Sequence, residues 1–270
     1  MIFESHAHYD DAAFDDDRDE LLGQCAEQGI GYIVNVSSDL KSVETTLALA
    51  GEKEFIYAAV GVHPDDVGGL DEESFEWLRG RCLEPKVVAV GEIGLDYHWD
   101  KEHHDLQKLW FGRQMKLAGE MKLPIIVHSR DAAADTLEEI KKTWEPGLTG
   151  VIHCFSYSPE MAAEYVDMGY YIGIGGVVTF KNAKKLKEVA KTVPLERILL
   201  ETDCPYLAPE PNRGKRNSSL NLIYVARTIA GLRGISEEEV ISVTCENAKR
   251  MYFQGRDPIS GHDGNHAGVV

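Results

Sequence analysis

Short runs of apolar and β-branched residues alternate with longer amphipathic stretches along most of the chain. The short runs predict strands at 2–8, 31–36, 56–62, 87–93, 124–128, 150–153, 170–173 and 197–201. The longer stretches predict helices at 17–28, 40–53, 71–82, 103–121, 130–144, 159–168 and 182–192. In the first of these, Leu21, Leu22 and Cys25 recur at helical spacing. Several strands, such as Val87-Val88-Ala89-Val90, are apolar on both faces. Strands read this way when helices cover both sides of a parallel sheet. Eight strand–helix alternations in one chain predict an α/β fold of the (β/α)8 TIM-like barrel type. A doubly wound sheet is the rival, but it needs fewer strands and a Gly-rich phosphate loop, and no GxGxxG or GxxxxGK[ST] occurs. Two further helices are predicted at 219–232 and 236–254, the second opening on a capping box, Ser236-Glu237-Glu238-Glu239. No repeat or linker is visible, so residues 1–254 form one barrel domain. The stretch 255–270 is rich in Gly, Asp and His without periodicity and reads as a disordered tail, with no role for His262 or His266.

Composition narrows the class. The 270 residues carry 28 Lys+Arg against 45 Asp+Glu, a net charge of 28 − 45 = −17. With 43% hydrophobic residues the chain can bury a core, which excludes intrinsic disorder. The charge argues against coating nucleic acid through a broad basic surface and against docking on an anionic membrane. Five dispersed cysteines without a CxxC pair read as reduced thiols of a cytoplasmic protein. The start, MIFESHAHYDD, lacks the basic and apolar runs of a secretory signal. No stretch approaches the roughly 18 to 20 apolar residues of a membrane span. Neither a membrane nor an obligate protein partner is expected.

The informative feature is where the histidines and carboxylates fall. His6 and His8 are two apart at the end of the first strand, so both imidazoles reach one side. Glu92 ends the fourth strand, His128 the fifth and His153 the sixth, and Asp203 follows the eighth. In a barrel these strand ends converge on the catalytic face. Six such donors exceed what one catalytic zinc takes and suit a two-metal site with a bridging carboxylate. Cys154 and Cys204 adjoin two of them. Alternation points Cys154 away from His153, and Cys204 lies past the strand end; both read as packing residues.

Around this set lie candidates for substrate contact. His63, in Gly-Val-His-Pro at the end of the third strand, faces the same mouth as a phosphate binder, a proton-transfer group or simply a loop histidine. Arg130 follows His128 by two residues, and Arg213, Lys215 and Arg216 follow the eighth strand. Arginine forks fit phosphate oxygens, and Gly214 lets backbone approach closely. Lys181, Lys184, Lys185 and Lys187 read as a solvated helix face, and His98, His103 and His104 as peripheral. No GxSxG elbow is present, which disfavours a serine hydrolase.

With these motifs in view the chain resembles the TatD family of metal-dependent deoxyribonucleases, within the amidohydrolase-like superfamily. The resemblance is carried by Ser5-His6-Ala7-His8, Gly61-Val62-His63-Pro64, Gly91-Glu92-Ile93-Gly94-Leu95-Asp96-Tyr97, His128-Ser129-Arg130, His153-Cys154-Phe155-Ser156 and Glu201-Thr202-Asp203-Cys204-Pro205-Tyr206-Leu207. It implies that His6, His8, Glu92 and Asp203 hold one divalent ion and that Glu92 bridges to a second held with His128 and His153. The ions it implies are Mg²⁺, Mn²⁺ or Zn²⁺, and the implied action is 3′→5′ exonuclease hydrolysis of single-stranded DNA ends. In that reading Asp203, Glu92 and His63 are catalytic, while His63, Arg130, Arg213, Lys215 and Arg216 bind substrate. The chain departs from the family at Glu4, where Asp is common, at Cys204, where Ala is usual, and after Arg216, where a Glu-Pro pair is missing.

The rivals are an amidohydrolase, an aminoacyl-tRNA deacylase, and a degenerate barrel serving as a scaffold. A carbamylated Lys at the fourth strand would favour the amidohydrolase, but Glu92 stands there; an intact donor set argues against the scaffold. The expectation is thus a positive mouth on an acidic body.

Overall fold

A computed structural model describes residues 1–143 and 147–254. Its strands are β1 (Ile2–Ala7), β2 (Ile30–Val36), β3 (Ile56–Val60), β4 (Val87–Asp96), β5 (Ile125–Arg130), β6 (Gly150–Ile152), β7 (Tyr171–Ile174) and β8 (Ile198–Leu200). They form one parallel sheet in chain order. A bridge between Ala7 and Cys204 brings the first strand back to the last, and Ser5 Oγ donates to Leu200 O at 2.9 Å. The helices are α1 (Arg18–Glu27), α2 (Leu40–Glu52), α3 (Glu72–Arg81), α4 (His104–Met121), α5 (Ala133–Thr143), α6 (Pro159–Asp167), α7 (Lys184–Thr192), α8 (Leu222–Arg233) and α9 (Glu237–Tyr252). This is the expected (β/α)8 barrel, in a single domain. The proposed tail at 255–270 lies outside the described residues, as does the last residue of the helix expected at 130–144. Among the described residues, no helix is long and apolar enough to cross a membrane.

Local chemistry explains where the helices begin. Asp39 and Asp71 each cap a helix through the backbone N–H of Ser42 and Ser74, and each serine returns a bond to the cap. Ser158 caps α6 with Pro159 at its first position, and Gly234, at φ 70°, ends α8 in the left-handed region. The box expected at Ser236 is present as one half: Ser236 Oγ accepts from Glu239 N at 3.1 Å.

Apolar residues from all eight strands, among them Phe3, Tyr32, Tyr57, Ile126 and Leu199, fill the barrel interior together with Tyr252 and Phe253 from the end of α9. Phe3 stacks on Tyr252 with ring centroids 5.7 Å apart. Sealing the lower end this way leaves the upper end, at the strand C-termini, for polar groups. Two close approaches shape that end. A side chain at Gly61 would meet the Gly91 backbone at 2.7 Å, and Gly94, at φ 148°, lies against the His128 carbonyl. These glycines let β3, β4 and β5 draw together where Glu92 and His128 emerge.

Candidate metal centre

The six expected donors meet at the upper end of the barrel. His6, next to last in β1, lies beside His153, the rings stacked at 3.7 Å, and both are buried. His6 Nε2 lies 3.1 Å from His8 Nε2. Glu92 Oε2 lies 3.4 Å from His6 Nε2 and 3.9 Å from His8 Nε2. Asp203 Oδ1 lies 3.7 and 3.4 Å from the same two nitrogens. Donors bonded to one ion at about 2.1 Å sit roughly 3.0 to 3.4 Å apart in octahedral or tetrahedral order, so this cluster has the spacing of a cation cage. The other oxygen of Glu92 serves a second group. Glu92 Oε1 is 2.8 Å from His128 Nδ1 and 3.2 Å from His153 Nε2. One buried carboxylate thus presents each oxygen to a different pair of imidazoles.

The electrostatics ask for positive charge. Burial pushes the Glu92 carboxyl up, but the facing His153 and His6 imidazoles and the His128 hydrogen bond hold it well below the usual range. Burial pushes His8 down, yet Asp203 and Glu92 raise it to about 9. Burial likewise opposes charge on His128, while Asp96 and Glu92 raise it to about 9. Divalent cations bound here would displace those protons.

Two acids that sequence reasoning left without a role complete the arrangement. Asp96 Oδ2 lies 3.0 Å from His128 Nε2. Glu201 Oε1 lies 3.4 Å from His153 Nδ1 and accepts from Cys154 N at 2.5 Å. Asp96 hydrogen-bonds the far side of His128 and Glu201 faces the far side of His153, while the near side of each ring faces Glu92, so the two acids favour that ring orientation. The available signal was an acid at a strand C-terminus. Glu4 lies beneath: its oxygens take bonds from His6 N, Thr202 N, Thr202 Oγ1 and Ser219 Oγ. Burial raises its carboxyl to about 8 against these four donors. The Glu4 side chain therefore reaches a full set of four donors.

Three expectations change. Cys154 does not point away from His153: β6 stops at Ile152, Cys154 takes φ 46°, and its Sγ comes within 4.8 Å of donor atoms on His153 and Asp203. Alternation fails because the strand has ended. Cys204, by contrast, is fully buried, as expected. Arg216 turns from the mouth to a two-pronged pair with Asp17, at 2.8 and 2.5 Å, and lies over Phe14. The exposed Asp17 offers a carboxylate fork that fits the guanidinium. The mouth itself is one-sided. Asp10, Asp11, Asp15 and Asp39 line the cavity of about 610 Å³ above the site, with Lys41 and His63. Arg130, Arg213 and Lys215 are exposed outside that lining, Arg130 over Trp99 and Arg213 over Phe180.

His63 stands at the cavity edge. Its Nδ1 accepts from Asp65 N at 3.2 Å, which leaves the proton on Nε2. Burial, with help from His128, pushes it down to about 3, so it is a neutral donor.

Comparison with known proteins places this geometry. A model of the family described as TatD related DNase matches residues 3–253. The chain belongs to that family. It is 44% identical over 252 residues to the uncharacterized metal-dependent hydrolase YabD of Bacillus subtilis, covering 93% of this chain and 99% of that one. It is 37% identical to the uncharacterized metal-dependent hydrolase YcfH of Escherichia coli K12 over 93% and 96% of the two chains. The crystal structure of YjjV, a TatD homolog from E. coli K12, superposes with a TM-score of 0.88 at 31% identity, covering 93% of this chain and 98% of that one. This TatD-family chain is therefore a metal-dependent hydrolase, with His, Asp and Glu groups placed to bind metal.

Ion binding to the folded state alone adds stability by mass action, about 2.7 kcal/mol at 100-fold over Kd. In differential scanning calorimetry, chelated protein given saturating Mn²⁺ is expected to gain about 5–10 °C in Tm. No shift would mean that the cage binds no ion.

Proposed function

We propose that this hydrolase is a two-metal deoxyribonuclease that removes nucleotides 3′→5′ from single-stranded DNA ends in the cytoplasm. The observation that carries it is the Glu92 carboxylate, each oxygen of which faces a separate imidazole pair. In this reading His6, His8, Glu92 and Asp203 hold one Mg²⁺, Mn²⁺ or Zn²⁺, and Glu92, His128 and His153 the other. The bound ions would polarise the phosphodiester and lower the pKa of water. Asp203 opens toward the cavity with 18% of its side chain exposed, and is placed to orient that water and take its proton. His63 donates from Nε2 to a phosphate oxygen without adding charge. Arg130, Arg213 and Lys215 attract the rest of the strand, while Arg216, engaged with Asp17, contributes to the loop's shape.

The test is a substrate panel with Mn²⁺: single-stranded oligonucleotides with free or blocked 3′ ends, an N-acyl amino acid and an aminoacyl-tRNA. Stepwise loss from free 3′ ends that stops with chelator is expected. Turnover of the amide or the aminoacyl ester, with DNA intact, would replace this reading by one of its rivals.

A further inference from the structure

A second cavity, of about 520 Å³, opens beside the metal centre between the loops that follow β6, β7 and β8. Its size falls within the roughly 300–1,000 Å³ of small-molecule sites. Asp203 and Cys154 line it at the end nearest the metal centre, and Asp203 also lines the catalytic cavity, so the two spaces meet at that residue. Its character differs from the catalytic mouth. Phe155, Val177, Leu186 and Leu207 supply apolar walls, and Lys184 and Lys185 stand exposed at its rim.

We infer that this cavity receives the terminal nucleobase of the strand being cut, and so acts as the base-binding subsite of the proposed nuclease. The inference rests on the nuclease reading above and adds to it the group that the enzyme grips. Three observations converge. The cavity shares Asp203 with the catalytic cavity, so a group in it remains attached to the ester being cleaved. Its walls, mostly aliphatic, can bury the faces of a planar base irrespective of its hydrogen-bonding edge. Charge favours this side: Asp10, Asp11, Asp15 and Asp39 outweigh Lys41 on the β1–β2 side, whereas the acids that line this cavity, Glu201 and Asp203, face the metal centre and leave Lys184 and Lys185 at its rim to meet neighbouring phosphates. The lysine run that reads in sequence as a solvated helix face thereby gains a use for two of its members. A single strand with an unstacked end can place its base there, whereas a paired end must first fray.

The experiment uses the whole chain with Mn²⁺ and two 5′-labelled oligonucleotides that differ only in whether the 3′-terminal sugar carries a base. The wild-type protein is expected to remove the base-bearing residue about 10- to 100-fold faster, in kcat/KM, than the abasic one. Val177→Trp, which fills the cavity, should bring that ratio within about threefold. Leu207→Asp, on an exposed loop, should do the same by placing charge against the base, and it serves if the first variant does not fold. Equal wild-type rates on both oligonucleotides would overturn the subsite and leave the nuclease reading standing. Unchanged selectivity in a folded variant would overturn it too. Failure to degrade either oligonucleotide would overturn the nuclease reading, and the subsite with it.

Discussion

Glu92→Gln is expected to lower metal-dependent turnover by roughly a thousandfold while the barrel stays folded. Losing a group that only orients a metal ligand costs roughly 10- to 100-fold in affinity or activity. Glu92 faces two donor sets directly, with Oε2 toward His6 and His8 and Oε1 toward His128 and His153. Glutamine has nearly the same shape but presents one NH2 to one of those sets and carries no charge. The side chain is only 5% exposed, so water cannot make good the loss. Turnover, metal content by elemental analysis and circular dichroism should be measured together. A folded variant with wild-type metal content and more than a tenth of the activity would remove Glu92 from its central place.

Gly94→Val should act on the scaffold rather than on the chemistry. Gly94 pairs with His128 across β4 and β5, and its φ of 148° lies where residues with a Cβ rarely go. A Cβ there would run into the His128 carbonyl oxygen. The partner is backbone in the middle of a sheet and cannot swing aside, so β4 must shift. Glu92 and Asp96, both on that strand, would shift with it. A destabilisation of about 3–5 kcal/mol is expected, a Tm fall on the order of 10 °C, together with lost activity. Urea unfolding monitored by circular dichroism reads it. A variant as stable as the wild type would show that β4 and β5 can separate here at little cost.

Much of the fold was legible because a (β/α)8 barrel repeats one local pattern. Among the described residues, the eight strands and nine α-helices fall within a few residues of their expected bounds, apart from the helix end outside those residues. Burial on both faces makes such strands continuous apolar runs, and helix caps such as Asp39, Asp71 and Ser158 mark the helix starts. That the six candidate donors would meet was legible for the same reason, since His or acid at the end of an apolar strand is costly to bury without a partner. Glu201 and Asp96 were not, although they stand in the same motifs. Their roles depend on which side of a neighbouring imidazole they touch, and that is set by strands β5 and β6.

Local pattern therefore determined the barrel, its catalytic end and the residues able to hold metal. Those features follow from periodicity and from the cost of burying polar groups, and both act within a short stretch of chain. The structure alone decided how Glu92 divides its oxygens, that Cys154 turns inward once β6 has ended, and that Arg216 spends its charge on Asp17. It alone placed acids on one side of the mouth and an apolar cavity with two lysines on the other. These are relations between loops far apart in sequence. Their energies depend on angstrom-scale distances across the barrel top, which no run of neighbouring residues encodes.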